Sequence, residues 1–175
     1  TTGSENTALG RGALATNTSN SYNTAVGDRA LTGNTGQLNT AVGSLAAYNN
    51  VDGQENTAIG QASLYTNTTG NYNTAVGRYA LRLSTTASNN TAVGTFSLTS
   101  NTTGANNTAV GFNALDANTT GEKNTCIGNY AGVTGNTAHF NENVAVGYNS
   151  LGSVVDSSDH TAVGFEAQKA DCGSE

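Results

Sequence analysis

One pentapeptide limits what this chain can fold into. Asn-Thr-Ala-Val-Gly, or a close variant, starts at Asn6, Asn23, Asn39, Asn56, Asn73, Asn90, Asn107, Asn124, Asn143 and His160. Successive copies lie 17 residues apart, except for one spacing of 16 and one of 19. A second motif, Gly-x-x-Ala-Leu, follows in register, as in Gly27 to Leu31 and Gly111 to Leu115. A polar link Asn-Thr-Thr-Gly then appears whole at 67–70, 101–104 and 118–121. Burying one Val and one Leu yields about 1.5–3 kcal/mol each, while ordering each residue costs about 1–2 kcal/mol. One unit therefore cannot fold alone, and the units must stack, each against its neighbours. The repeat runs from Asn6 to about Ala170 and predicts a single repeat domain over residues 1–175.

Comparison between copies gives each position a character. The closing Gly never changes, which points to positive φ or to close backbone approach. The residue before it is β-branched in nine of ten copies and so favours a strand. The residue before that is Ala in nine copies and Cys126 in the other. Three residues after the Gly only Ala or Ser occurs, and the next position is Leu in seven copies. Alternation in a strand puts Thr and Val on one face and Asn and Ala on the other. Because Val144 replaces Thr in one copy, the Thr/Val face is expected to be interior. The opposite face takes only small residues, so close packing, against another chain, is expected there too. The Ala-Leu stretch is expected to form a second short strand. These readings give an all-β fold, a parallel β-solenoid of about ten 17-residue coils. At roughly 4.8 Å per coil, ten would make a rod segment about 48 Å long.

Composition removes other classes. No apolar run approaches the roughly 18 residues of a membrane helix, and no segment reads as a secretory signal. Six Lys and Arg spread along a chain of net charge −6 leave no basic patch for nucleic acid. Two Cys and two His, far apart, do not make a zinc site, and the scattered acidic residues lack a calcium-repeat pattern. We expect no cofactor, no metal, no catalytic residues and no enzyme activity. His139 and His160 have no nucleophile beside them in a recognisable motif.

The repeat resembles the head repeats of trimeric autotransporter adhesins and the shaft repeats of phage tail-fibre-like proteins. Asn73–Gly77 stands where those adhesin heads carry a Ser-Val-Ala-Ile-Gly type signature. The resemblance covers nearly the whole chain. It implies a left-handed parallel β-roll, a homotrimer, and an extracellular fibre on a cell or virion that spaces or mediates attachment to a host glycan or receptor. Under it, Ala25, Ala41, Ala58, Ala75, Ala92, Ala109, Cys126, Ala145 and Ala162 would pack at the trimer axis. The period of mostly 17 is longer than the usual adhesin-head unit. Neck, stalk, anchor and chaperone modules are not in the sequence, so the chain is expected to be a segment of a longer fibre, without membrane contact of its own.

Candidate surface contacts are the aromatics at variable positions, Tyr48, Tyr65, Tyr79, Phe96 and Tyr130, with His139 and Phe140 in the irregular stretch 129–158. Such rings can stack on sugars; the plainer reading is that they cover coil edges. Residues 165–175 read as the end of the roll, since Gln168 stands in the Leu position. Cys126 is too far along the chain from Cys172 for an internal bridge. The alternative function is a single-chain ice-binding or glycan-binding solenoid. Its ice-binding form would use Thr18, Thr35, Thr68, Thr85, Thr102 and Thr119, a column broken at Val51, Asn136 and Val155.

Overall fold

The computed structural model describes residues 3–133, 140–153 and 158–168. It is an all-β parallel solenoid of about nine coils, with no helix among the described residues. Each coil contributes one three-residue strand: β1 (Thr7–Leu9), β2 (Thr24–Val26), β3 (Thr40–Val42), β4 (Thr57–Ile59), β5 (Thr74–Val76), β6 (Thr91–Val93), β7 (Thr108–Val110), β8 (Thr125–Ile127), β9 (Val144–Val146) and β10 (Thr161–Val163). They form one sheet in sequence order, every pair parallel. The register superposes like on like, as in Thr74↔Thr91, Ala75↔Ala92 and Val76↔Val93. The irregular unit keeps the same register, with Cys126↔Ala145, so its two extra residues are absorbed outside the strands.

The invariant Gly satisfies both requirements inferred for it. All ten copies have φ between 128° and 137°. In the first nine, an added Cβ would lie 2.3–2.7 Å from backbone atoms of the Gly in the next coil. Coils therefore meet backbone to backbone at this corner, and only Gly fits.

The face assignment is inverted. Ala25, Ala41, Ala58, Ala75, Ala92, Ala109, Cys126 and Ala145 are completely buried within the single chain, and Ala162 nearly so. They line the coil's own interior and cannot form a trimer axis. The Thr and Val side chains of the same strands point outward and are half-buried or exposed. The interior is too thin for β-branched side chains on the sheet. It is filled instead by the strand Ala, the Ala or Ser three after the Gly, and one Leu per coil, such as Leu31, Leu64, Leu81, Leu98, Leu115 and Leu151. Val144 can replace Thr because an outward β-branched position accepts either shape.

The Ala-Leu stretch is not a second strand. Tyr79 has φ 61° and Leu81 φ 50°, and the same two positions are left-handed in the other coils, as at Phe96 and Leu98. Such residues cost roughly 1–2 kcal/mol each outside Gly. Two gains offset that cost. The Leu side chain is buried, and in the inner coils the left-handed amides find carbonyls in an adjacent coil: Tyr79 N–H donates to Gln61 O at 3.0 Å and Leu81 N–H to Ser97 O at 3.0 Å.

Two buried asparagine columns complete the interior. The Asn that opens each pentapeptide accepts, through Oδ1, the backbone N–H of the same residue one coil on: Asn73 to Asn56, Asn90 to Asn73 and Asn107 to Asn90, at 2.9–3.0 Å. Its Nδ2 donates to the link carbonyl, as Asn56 does to Gly70 O at 2.8 Å. In the link, Asn50 Nδ2 donates to Asn34 Oδ1 and Asn67 Nδ2 to Asn50 Oδ1, at 2.8 and 2.6 Å. These amides pair with one another in the interior, and such networks fix a unique register where they are satisfied.

Candidate functional site

The turn that leaves each strand carries its variable residues outward, one and two positions after the Gly. From the fifth coil onward these positions supply a continuous row of rings. Tyr79 lies 5.5 Å from Phe96, Phe96 6.2 Å from Phe112, Phe112 5.4 Å from Tyr130, Tyr130 5.9 Å from Tyr148, and Tyr148 5.5 Å from Phe165. The three central contacts are edge-to-face. Each such contact contributes about 0.5–1.5 kcal/mol beyond area burial. The rings touch from coil to coil, so this row ties the coils together, while Phe112, Tyr148 and Phe165 remain exposed at its surface. Of the expected contacts, Tyr79, Phe96 and Tyr130 belong to it. Tyr48 and Tyr65 form a separate stacked pair at 5.4 Å, one coil apart.

The row begins at an opening. Two positions after the corner Gly the column reads Leu45, Ala62, Tyr79 in successive coils, and the small, nearly buried Ala62 lies beneath a cleft of about 170 Å³. Leu45, Gln61, Tyr65, Tyr79 and Arg82 line it with Ala62. Arg82 lines the cleft, and Arg78 lies beside it on the same Tyr79 ring. Arg78 lies 4.3 Å and Arg82 5.0 Å from the centre of the Tyr79 ring. Arg78 also donates to Gln61 Oε1 and to the Tyr79 hydroxyl, both at 3.2 Å.

The other expected positions divide. Phe140 is not a surface contact: it is completely buried and is the largest side chain in the core. Its coil has Gly132 in the Leu position, and Cys126 Sγ occupies the space beside it, only 2.5 Å from where a Cβ on Gly132 would stand. Phe140 thus fills a core that has lost its Leu. His139 and Cys172 lie outside the described residues. Cys126 is buried and free, and burial pushes its thiol up to about 12. It stays protonated and unreactive at neutral pH. Asn67, Asn101 and Asn118, each heading an Asn-x-Ser/Thr sequon, are buried in the link column and unavailable for glycosylation in the folded chain.

Electrostatics add little chemistry. Arg11 pairs with Asp28 and Lys123 with Glu142 at 2.7 and 2.6 Å, on the open surface. The hydrogen bond from Arg11 holds the Asp28 carboxyl below its usual range, and Lys123 does the same for Glu142. No three His, Cys, Asp or Glu groups are placed to hold a metal among the described residues. No helix there is long and apolar enough to cross a membrane.

The broadest surface feature is the outer face of the sheet. Its apolar column runs Leu9, Val26, Val42, Ile59, Val76, Val93, Val110, Ile127, Val146 and Val163, beside a column of Thr broken only by Val144. Leu9 and Val163 are 67% exposed, and Val42, Ile59 and Ile127 are 37–41% exposed. Sequence reasoning placed these residues inside. The signal for the true arrangement lay in the other column, since a position restricted to Ala and Cys is a tight interior. Comparison with family models, with curated proteins and with solved structures gives no match.

Proposed function

We propose that this chain is a length of shaft in an extracellular homotrimeric fibre, a left-handed β-roll with a 17-residue coil that spaces or mediates attachment to a host surface. The observation that carries the reading is the uncovered Leu/Val/Ile column on the sheet. Contiguous apolar surface of that kind marks an interface. It also repeats identically along the rod, so copies of the same chain can meet it in register at every coil. The interface is therefore the Thr/Val face rather than the Ala column. The row of aromatic rings lies beyond the strand ends, on the turns.

Light scattering on the 175-residue chain under reducing conditions is expected to give three times the 17.6 kDa chain mass. Placing carboxylates on the face, as Val76→Glu with Val93→Glu, is expected to lower the mass to one chain with the far-ultraviolet spectrum unchanged. A single-chain mass for the unaltered protein would overturn the trimer. The Thr column on the outer face of the parallel sheet, broken only by Val144, favours one second reading, a single-chain ice-binding solenoid. Single-chain mass together with thermal hysteresis would establish that reading instead, using Thr24, Thr40, Thr57, Thr74, Thr91 and Thr108 rather than the link threonines.

A further inference from the structure

We infer that the cleft over Ala62 is a subsite for a carboxylated sugar ring of an acidic polysaccharide. The inference rests on the attachment half of the reading above. Four features meet in the cleft. Its volume of about 170 Å³ suits one six-membered ring and falls well below the roughly 300–1,000 Å³ of drug-sized sites. Tyr65 and Tyr79 border it; Arg78 and Arg82 lie on the Tyr79 ring, which leaves Tyr65, stacked on Tyr48 through one face, as the ring to meet the C–H face of a sugar. Gln61 in the lining supplies an amide for ring hydroxyls, with its Oε1 already held by Arg78.

The fourth feature is charge. The chain carries only six Lys and Arg against twelve Asp and Glu. Among the described residues Arg11 and Lys123 are spent in ion pairs, whereas neither Arg78 nor Arg82 contacts a carboxylate. Both guanidinium groups lie against Tyr79. A guanidinium set against a ring and without an acidic partner presents its planar fork to a planar carboxylate. In the two neighbouring coils the position of Ala62 carries larger side chains, Leu45 on one side and Tyr79 on the other.

The test is titration of the full chain with oligogalacturonate, oligomannuronate and sialyl-lactose, followed by calorimetry and by tyrosine fluorescence. The methyl ester of each acid serves as the neutral form of the same sugar. At least one acid is expected to bind, roughly tenfold tighter than its ester at low salt, with the preference shrinking as salt rises. Arg82→Gln should remove most of that preference without changing the fold. Ala62→Leu copies the preceding coil, where Leu45 holds the same left-handed conformation, φ 59° against 50°. It should fold normally and abolish binding of acid and ester alike.

Equal binding of acid and ester, unaltered binding by Ala62→Leu, or binding of none of the three acids would each overturn the subsite. Solution mass measured on the same samples separates the two readings. Three chains without binding removes the subsite and keeps the fibre. One chain with binding removes the fibre and keeps the subsite.

Discussion

The link column contains a built-in experiment. Asn34, Asn50, Asn67, Asn101 and Asn118 share it, but Ser84 interrupts it, and Asn67 Oδ1 and Ser84 Oγ are buried without hydrogen-bond partners. In the flanking coils the Asn faces a Gly. A Cβ on Gly53, Gly70, Gly104 or Gly121 would fall 2.3–2.6 Å from the Oδ1 of the Asn in its own coil. The coil with Ser84 carries Ala87 at that place, so a methyl group occupies the room the carboxamide needs. Ser84→Asn alone should drive the new amide into Ala87 and cost about 1 kcal/mol. Ala87→Gly alone should cost about 1 kcal/mol through the void and the loosened unfolded chain. The double variant restores three bonds: one to Asn67 Oδ1, one from Asn101 Nδ2, and one to the carbonyl of residue 87. At about 1 kcal/mol each, less about 1 for the Gly and less the ordering of the new side chain, the double variant should gain about 1 kcal/mol. The cycle then closes with a coupling of about 3 kcal/mol, at the upper end for contacting residues. Urea unfolding of the four forms measures it. A stacked array need not melt in one step, so hydrogen exchange at the amides of Leu81 and Asn101 reads the same change locally. Additive single effects, with coupling below about 0.5 kcal/mol, would refute the reasoning.

Three further outcomes follow from the same geometry. Gly77→Ala meets both a φ of 135° and the Gly94 carbonyl 2.5 Å away, while Gly164→Ala meets φ 133° with nothing nearer than 3.9 Å. The first should lower the unfolding midpoint much further, by about 3 kcal/mol or more against about 1–2, and equal losses would show that backbone contact between coils is not limiting. Burial raises the Asp116 carboxyl above its ordinary value, with the Ala117 amide opposing in part. A raised acid is destabilising in its ionised form, so stability should fall as pH rises from the ordinary carboxylate range through the folded value. Asp116→Asn should accordingly melt higher at pH 7, with the advantage gone by about pH 3. Cys126, protonated and enclosed, should resist thiol reagents at pH 8 until urea unfolds its coil, and rapid labelling of the native chain at that residue would contradict the packing.

Much of the fold was legible because the chain carries ten versions of one local answer. The strands, their parallel register and the corner Gly all follow from columns that barely vary. The faces were misread because alternation gives two faces without saying which is inside. β-branched side chains usually are, but here the space between coil walls admits only Ala75, Ala80 and Leu81 and their equivalents. The left-handed turns were hidden because Leu81 and Tyr79 are residues that normally avoid such φ. The opening Asn, present in nine of ten copies, was placed on a strand face beside the Ala; its role as a ladder depends on the stacking partner one coil away. At the candidate surface, the rings were visible one by one, but the row needs coil stacking and the cleft needs the absence of a side chain at Ala62.

The asparagine ladder makes every rung the same, and that bears on how such a rod can change in length. Along the ladder each opening Asn bonds to its counterparts one coil before and one coil after, as Asn90 does with Asn73 and Asn107. Excising residues 90–106 would join Asn89 to Asn107, which can then bond to Asn73 as Asn90 did. Whole coils can therefore be gained or lost without redesigning a core. Reach then changes in increments of about 4.8 Å. Chemical variety at the outward positions, including an opening such as the one over Ala62, can be carried to a new height on the rod by the same events.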